Sequence, residues 1–337
     1  MILGIESSCD DSSIALLDIK NLKLMHYKKI SQELEHSKFG GVVPELAARL
    51  HTEALPKLLD EIKPYFSQIK AIAVTNEPGL SVSLIGGVSM AKALSIALKI
   101  PLIGVNHLIG HIYSLFIEKK VIFPLGVLLV SGGHTLILNI DKNRKISVLA
   151  TTSDDSFGES FDKVAKMMNL GYPGGVVIEK FANFGDSEKY KFTIPLKDKN
   201  RLEYSFSGLK NQVRTQIEKI KFTNLQICEK DICDISASFQ KTAILHILDK
   251  LNLIFAKYKF ENFAIVGGAS ANKILREKVE NLCLNYNTNL FLAPFEFCSD
   301  NAAMIARAGI EKYNRNEFIE YKNLQINPTC DFDNLFC

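Results

Sequence analysis

Short apolar segments that end in polar turns recur along the chain, a pattern typical of buried strands. Residues 1–5 lead through an acidic, serine-rich turn into a second apolar segment, residues 13–18. Residues 125–130 end in SGGHT and lead in the same way into residues 135–140. Residues 262–266 end in a Gly-Gly turn that opens a helical pattern. Because the hairpin plan occurs twice, we expect two related lobes.

Apolar residues at helical spacing separate these strands. Residues 44–65 begin with Pro44, which suits the first turn of a helix, whereas Pro56 is expected to kink or split that helix. Residues 82–99 predict a second helix, built largely of small residues. A lysine-rich segment, residues 185–234, is expected to be an insertion in the second lobe. Strands that alternate with helices predict the α/β class.

Composition narrows the class of protein. The chain has 337 residues, 47% of them hydrophobic, and a net charge of +3, so it can bury a large core but has no overall basic character. It has no run of about 18 apolar residues and no apolar leader, which argues against a membrane span and a signal peptide. The seven cysteines, an odd number, argue against a disulfide framework. We expect a cytoplasmic protein.

Two histidines four residues apart, His107 and His111, form the first candidate site. On a helix they would share one face and could bind one metal ion. Zinc-protease helices of the H-E-x-x-H type place a glutamate base after the first histidine, whereas Leu108 stands there in this chain. Asp300 could complete a set of two imidazoles and one carboxylate, which suits Fe(II) or Zn(II). A lone pair of this spacing is more often incidental, and Asp300 could instead be a helix N-cap.

Four turns rich in small and polar residues, and one acid beyond them, form the second group of candidates. Residues 6–13 could bind a phosphate or be a solvated hairpin tip, and residues 131–135 could bind an anion or be a plain turn. Residues 171–175 would bring backbone close to a ligand, and Glu179 could bind the hydroxyls of a ribose. Residues 266–272 join a strand to a helix start, where a nucleotide can bind, but they lack the G-x-G-x-x-G pattern.

Nine short motifs occur in order between about residues 4 and 309. They are GIESSCDDSSIA, FGGVVPELAARLH, PGLSVSLIGGVSMAKAL, NHLIGH, LVSGGHT, FGESFDKVAKMMNLGYPGG, SFSGLK, VGGASANKILR and CSDNAAMIA. Together they resemble the TsaD family, the tRNA N6-adenosine threonylcarbamoyltransferases formerly described as O-sialoglycoprotein endopeptidases. Any one motif is modest, but nine in the right order are specific.

The resemblance implies a two-lobed actin-like, Hsp70-like (ASKHA) α/β fold with a metal and nucleotide cleft between the lobes. The first lobe would comprise residues 1–117 and 304–337, and the second lobe residues 118–303. The reaction implied is transfer of the threonylcarbamoyl group from threonylcarbamoyl-AMP to N6 of an adenine. That adenine lies at position 37 of tRNAs that read codons beginning with A, and AMP is released.

The motifs also carry the family's site residues over to this chain. His107, His111 and Asp300 match the ligands of one divalent metal, with Fe2+ as the first choice and Zn2+ as the alternative. Asp10 and His134 are two candidates for the base that activates the adenine amine. The residues that match contacts to a nucleotide (threonylcarbamoyl-AMP, AMP or ATP) are Leu129, Val130, Ser131, Gly132, Gly133, Asp162, Gly175, Glu179 and Asn272.

The resemblance implies partners as well. These are tRNA, an inactive paralogue of the TsaB type, a small ATPase of the TsaE type, and an upstream synthase that supplies the donor. Lys28, Lys29 and Lys38 could contact RNA or simply face solvent. Three alternatives stay open: a metalloprotease, an actin-like kinase or ATPase, and a nucleotide-binding regulator without catalysis.

Overall fold

The computed structural model describes residues 1–198 and 201–330, and the chain divides into two units. The first unit comprises Met1–Ile122 and the chain from Ala293 onward, and the second comprises Phe123–Leu292. Each unit has its own hydrophobic core of buried aliphatic and aromatic side chains. The cysteines within the described residues are all free thiols, in agreement with the prediction from their number.

The first unit begins with the apolar segments that the sequence predicted as strands. Its elements before the chain enters the second unit are β1 Ile2–Glu6, β2 Asp11–Leu17, β3 Leu24–Ser31, α1 Glu33–Ser37, α2 Pro44–Glu61, β4 Ala71–Glu77, α3 Ser81–Leu98, β5 Leu102–Asn106 and α4 His107–Tyr113. Short 3-10 helices, Lys63–Gln68 and Ser114–Phe116, follow α2 and α4.

The sheet of the first unit has the strand order β3-β2-β1-β4-β5. β1 pairs antiparallel with β2 and parallel with β4, which in turn is parallel to β5. The hairpin turn at residues 7–10 and the carboxyl ends of β4 and β5 therefore meet at one edge of the sheet. Because α4 starts directly after β5, this edge brings the acidic turn and the two predicted metal-binding histidines together.

The second unit repeats the plan. Its elements are β6 Leu125–Val130, β7 Thr135–Ile140, β8 Ile146–Thr152, α5 Phe157–Met167, α6 Gly174–Ala182, β9 Glu203–Tyr204, α7 Ser207–Asn224, α8 Glu229–Lys257, β10 Asn262–Val266, α9 Lys273–Asn285 and β11 Asn289–Leu292. The sheet order is β11-β10-β6-β7-β8-β9, with β6 antiparallel to β7 and parallel to β10. The series β8-β7-β6-β10-β11 thus matches β3-β2-β1-β4-β5. This repetition confirms the prediction of two related lobes and the α/β class.

The last helix, α10 (Ala302–Asn314), returns the chain to the first unit. It packs against β1, where Gly4 leaves no room for a side chain beside the α10 backbone. Residues 293–303, which comprise the segment before α10 and its first two residues, therefore belong with the first unit. The sequence analysis placed them in the second lobe, within residues 118–303, because their own pattern carries no sign of this long-range packing.

Two helices differ from the predicted pattern. α2 is continuous through Pro56 and is not split. Proline has no N–H, so the carbonyl of Thr52 lacks its usual helical hydrogen bond. Both Thr52 and Pro56 face solvent, where water can replace that bond. α3 is the one helix among the described residues whose length and hydropathy would also suit a membrane span, which the sequence analysis did not expect. It packs against α2 and β4, as an apolar core helix also does.

The lysine-rich segment of residues 185–234 is packed into the second unit. It contributes β9, which pairs with β8, and α7. The buried side chains of α7, which include Leu209, Val213 and Ile217, lie in the core of that unit. The charge of this segment therefore belongs to the exposed faces of packed elements.

Candidate metal centre and glycine-rich turns

The two predicted metal-binding histidines lie on α4. The side-chain oxygen of Asn106 caps this helix by accepting hydrogen bonds from the N–H groups of Leu108 and Ile109. Every residue of α4 is buried, so packing holds the helix in place. The rings of His107 and His111 lie on one face of the helix, with 4.6 Å between their centroids. The four-residue spacing thus brings the imidazoles together as the sequence predicted.

Asp300 completes the cluster from the segment that precedes α10. Its Oδ1 atom lies 3.4 Å from Nε2 of His107 and 3.3 Å from Nε2 of His111. Asn301, and not Asp300, caps α10 by accepting a hydrogen bond from the N–H of Met304. The alternative role of Asp300 as an N-cap is therefore wrong. One donor atom from each of the three residues lies within 4.8 Å of the others.

His111 shows that the cluster fits a metal ion. Both of its ring nitrogens are buried: Nδ1 makes no hydrogen bond within the described residues, and Nε2 faces Oδ1 of Asp300 at 3.3 Å. Buried polar atoms without a partner are rare in folded proteins, and each calls for an explanation. A metal ion would give both Nε2 and the facing carboxylate oxygen of Asp300 a bonding partner. Two imidazoles and one carboxylate with further positions open are a donor set suited to Fe2+ or Zn2+.

The charges in this cluster depend on one another. Burial opposes the charged form of Asp300, yet the imidazoles of His107 and His111 hold the pKa of its carboxyl well below its usual value. Burial lowers the pKa of His111. Burial would lower the pKa of His107 too, but Asp300 and Glu6 raise it well above its usual value. The raised pKa of His107 thus reflects its position between the carboxylates of Asp300 and Glu6.

Glu6, at the end of β1, contacts the cluster and was not singled out from the sequence. Its side chain is fully buried, and its Oε2 atom lies 3.1 Å from Nδ1 of His107. The hydroxyl of Ser8 lies 3.1 Å from the same nitrogen. The available signal was a carboxylate at the end of an otherwise apolar strand. Such a residue is buried only when a partner compensates for its charge.

The acidic turn after β1 brings further charge near the cluster. The pKa of Asp10 is raised, first by burial and then by the negative charges of Asp11 and Asp300. The ammonium of Lys29 donates hydrogen bonds to Asp11 at 2.8 Å and to the hydroxyl of Ser299 at 3.0 Å. Lys29 therefore joins the turn to the segment that carries Asp300. Lys29 thus has a structural role in addition to the RNA contact or solvent exposure expected from the sequence.

A series of buried polar groups holds the acidic turn against α2. Nε2 of His51 lies 2.9 Å from the carbonyl oxygen of Cys9, and its Nδ1 lies 2.6 Å from the hydroxyl of Ser12. Gln32 joins His51, at 3.3 Å, to His36, at 3.0 Å. The sequence analysis gave these histidines no role. Their hydrogen bonds fix the shape of the turn that carries the catalytic candidate Asp10.

In the second unit, the turn after β6 presents glycine backbone. Leu129 and Val130 are buried strand residues that pair with β7 and β10, so residues 131–133 form the part of this loop beyond the sheet. Both glycines of this turn are exposed, and a Cβ added to either would meet no described atom within 4 Å. The hydroxyl of Ser156 donates a hydrogen bond to the carbonyl of Gly132 at 2.6 Å. The turn is thereby fixed at the start of α5 while its glycines stay open.

The other predicted nucleotide contacts are linked by hydrogen bonds within the second unit. Asp162 accepts a hydrogen bond from the N–H of Gly174 at 2.7 Å, which holds the turn that includes Gly175. Glu179 accepts one from the first N–H of α9 at 2.9 Å. Asn272 caps the same helix through its side-chain oxygen. Each side chain thus has a structural task, so a contact with nucleotide would be an additional one.

Gly267 lets the turn at residues 266–272 approach the turn at residues 131–133. Its φ angle is 93°, in the left-handed region that favours glycine, and an added Cβ would collide with the carbonyl oxygen of Val130. The turn at residues 266–272 therefore lies beside the turn at residues 131–133. Within the second unit, the structure brings together turns that are far apart in the sequence.

Solved structures with a similar fold define the class. The activator of 2-hydroxyisocaproyl-CoA dehydratase from Clostridium difficile matches with a TM-score of 0.54 at 13% identity, over 94% of this chain and 96% of that chain. Full-length HypF matches with a TM-score of 0.57 at 16% identity, over 98% of this chain and 56% of that chain. At such identities the likeness concerns the fold alone. It is the actin-like ASKHA fold, as predicted.

The family follows from the sequence comparisons. Residues 23–307 match the model of the TsaD family, tRNA N6-adenosine threonylcarbamoyltransferase. A relative of that name from Campylobacter hominis is 68% identical over 334 residues, which cover 99% of both chains. Another, from Campylobacter fetus, is 66% identical over 99% of this chain and 98% of the relative. The chain belongs to the TsaD family, and it is a tRNA-modifying transferase, as the order of the nine motifs predicted.

Proposed function

We propose that the chain transfers the threonylcarbamoyl group of threonylcarbamoyl-AMP to N6 of adenine 37 in tRNAs that read codons beginning with A, with release of AMP. The observation that carries this proposal is the cluster of two buried histidines, His107 and His111, with Asp300, in a chain of the TsaD family. Leu108 stands where a zinc-protease helix has its glutamate base. Such a cluster suits the binding of an acyl donor better than the activation of water for hydrolysis.

We assign these three residues as ligands of one divalent metal, with Fe2+ as the first choice and Zn2+ as the alternative. When bound, the metal supplies a Lewis acid that can polarise oxygen atoms of the donor. The protein contributes fixed positions for the ligands, because α4 is buried and Asn301 anchors the segment before α10. It also contributes the negative charge of Asp300, which favours a cation at this place.

We assign the nucleotide part of the donor to the second unit. The backbone N–H groups of residues 131–133 suit the phosphate, because glycines let a ligand approach closely. Asp162, Gly175 and Asn272 would contact the adenosine, and Glu179 would bind the ribose hydroxyls. The hydrogen bonds of Asp162 and Glu179 to neighbouring backbone support this assignment, since they hold both carboxylates in fixed orientations.

Two residues are candidates for the base that activates the adenine amine. The raised pKa of Asp10 favours proton uptake closer to neutral pH than an ordinary carboxylate allows. His134 follows the exposed glycines, and its backbone N–H donates to the hydroxyl of Ser131 at 3.1 Å, which holds the turn. Loss of transfer with retained donor binding, in Asp10→Asn or in His134→Gln, would identify the base.

The substrate tRNA follows from the family, and further partners are part of the proposal. We propose a TsaB-type paralogue, a TsaE-type small ATPase, an upstream synthase that supplies the donor, and a cytoplasmic location. Among the lysines considered for RNA contact, Lys28 is exposed and keeps that candidate role. Lys38 is also exposed but pairs with Glu35.

The test is a transfer assay with pre-formed threonylcarbamoyl-AMP, unmodified tRNA and the helper proteins. We expect His111→Ala to lose the metal and to lower transfer by about 100-fold or more. The reason is that the Lewis acid that would polarise the donor is lost together with its ligand. His26→Ala is the matched control, since His26 lies outside the cluster near Glu61, and it should keep both properties. Wild-type turnover by His111→Ala would remove the metal from the mechanism.

The same purified samples test the metalloprotease alternative. Leu108 is buried beside His107 and cannot accept a proton from a metal-bound water. We therefore expect no peptidase activity from metal-loaded protein. Sustained cleavage that disappears in His107→Ala and His111→Ala would overturn the proposed transfer function.

A further inference from the structure

Glu6 is held in one orientation by several hydrogen bonds. Its Oε1 atom accepts from the N–H of Ser8 at 2.6 Å, and its Oε2 atom accepts from the hydroxyl of Thr75 at 2.5 Å. The same Oε2 atom lies 3.1 Å from Nδ1 of His107. The side chain has no exposed surface. A buried carboxylate with this many donors cannot rotate without leaving several of them unpaired.

The strand register explains why Thr75 reaches Glu6. Ile5 of β1 pairs with Val74 of β4 in the parallel ladder, so the next residues of the two strands are neighbours. Both strands end at the edge of the sheet where α4 begins. The carboxylate of Glu6 is therefore positioned by backbone pairing, by Thr75 and by the turn that follows β1.

The two histidines of the cluster differ in what contacts Nδ1, the ring nitrogen that is not next to Asp300. Nδ1 of His107 has two oxygen atoms within 3.1 Å, one from Glu6 and one from Ser8. Nδ1 of His111 is buried and makes no hydrogen bond within the described part of the chain. His111 is therefore oriented by packing and by the contact of its Nε2 with Asp300, whereas His107 also has a charged acceptor beside its Nδ1.

We propose that Glu6 is a positioning residue for the metal site: it accepts the Nδ1 proton of His107 and so fixes Nε2 as the ligand atom. This inference rests on the proposed metal site. Carboxylates that accept from the outer nitrogen of a metal-binding histidine fix its tautomer and make it a stronger ligand. Glu6 also adds a second negative charge, besides that of Asp300, next to the proposed ligand His107. Thr75 supports Glu6 by holding the same oxygen atom.

The experiment measures the Zn2+ affinity of the full chain by competition with a chelator. We expect Glu6→Gln, which keeps the size but loses the charge, to bind Zn2+ about 10- to 100-fold more weakly. Thr75→Val should lose affinity by a smaller factor, and Thr75→Ser, which keeps the hydroxyl, should restore it. The control Asp234→Asn also removes a buried charge, but in the second unit, where Asp234 binds Lys230 and backbone. It should bind Zn2+ as the wild type does.

A second measurement does not depend on the stability of Glu6→Gln. Nitrogen-15 NMR of histidine-labelled, Zn2+-loaded wild-type protein should show His107 protonated at Nδ1 and metal-bound at Nε2. The opposite arrangement would overturn the proposal. Affinities of Glu6→Gln and Thr75→Val equal to wild type would also overturn it. If the wild type itself binds no Zn2+ or Fe2+, the metal site fails, and the role of Glu6 fails with it.

Discussion

At the scale of single residues, two buried side chains outside the His107 cluster, Arg307 and His246, differ in how their polar atoms are paired. Arg307 is buried, and its guanidinium donates to the carbonyl of Phe116 and to Glu311. His246 is buried too, and it accepts a hydrogen bond from the N–H of Ser205 through Nε2. Its Nδ1 has no hydrogen-bond partner among the described residues. His246 therefore resists protonation, in contrast to His107 in the metal cluster.

The pH dependence of stability tests the environment of His246. Burial first, and then the charge of Lys250, lower its pKa from 6.5 to about 4. Between pH 4 and pH 6.5 the unfolded chain binds a proton at this histidine that the folded chain does not. Protonation therefore favours the unfolded state, and the free energy of unfolding decreases as the pH falls from 6.5 to 4. The loss should approach roughly 3 kcal/mol.

Urea unfolding of wild type and His246→Gln at pH 7 and pH 4 measures this contribution. Because the variant lacks the titrating group, the stability difference between the two proteins should shift in favour of His246→Gln on acidification. Parallel pH profiles for the two proteins would show that His246 titrates normally in the folded state.

The three members of the cluster could be predicted from the sequence, but the residues that contact them could not. His107 and His111 are visible as a pair because helical spacing alone places them together. Asp300 became a candidate only through its motif, since nothing local connects it to α4. The contacts of Glu6 and Lys29 were not predicted because they depend on strand register and on the path of α10, which no local pattern records.

At the scale of elements, the position of Asp300 depends on how closely α10 packs on β1. Gly4 permits this approach, since a Cβ there would lie 2.7 Å from the backbone nitrogen of Ala306. α10 is buried over most of its length, from Ala302 to Ile310. The N-cap alternative for Asp300 implied that a helix begins here, but no local pattern indicates the strand on which this helix packs.

Gly4→Ala tests this packing. The added methyl group cannot be accommodated by a flexible side chain, because the nearest atoms belong to the α10 backbone, so we expect a loss of about 1–3 kcal/mol. Urea unfolding followed by circular dichroism measures the change. Gly208→Ala is the matched control, since its Cβ would meet no described atom within 4 Å and alanine favours the helix. A Gly4→Ala protein as stable as wild type would contradict the packing argument.

At the scale of the whole molecule, the two units repeat one strand order around separate cores. The sequence predicted this duplication from the hairpins at residues 1–18 and 125–140, because hairpins are local and their apolar pattern is strong. The return of residues 293–303 to the first unit was not predicted, because it depends on contacts between distant segments. This fold, the nine ordered motifs and the cluster of His107, His111 and Asp300 together support the proposed function.

The most direct test of that conclusion is mass analysis of tRNA nucleosides from cells depleted of this chain. We predict that threonylcarbamoyladenosine disappears on depletion, returns with the wild-type chain, and does not return with His111→Ala. The wild-type rescue shows that the loss is due to this chain, and the variant ties the activity to the cluster. An unchanged level of threonylcarbamoyladenosine after depletion would contradict the proposed function.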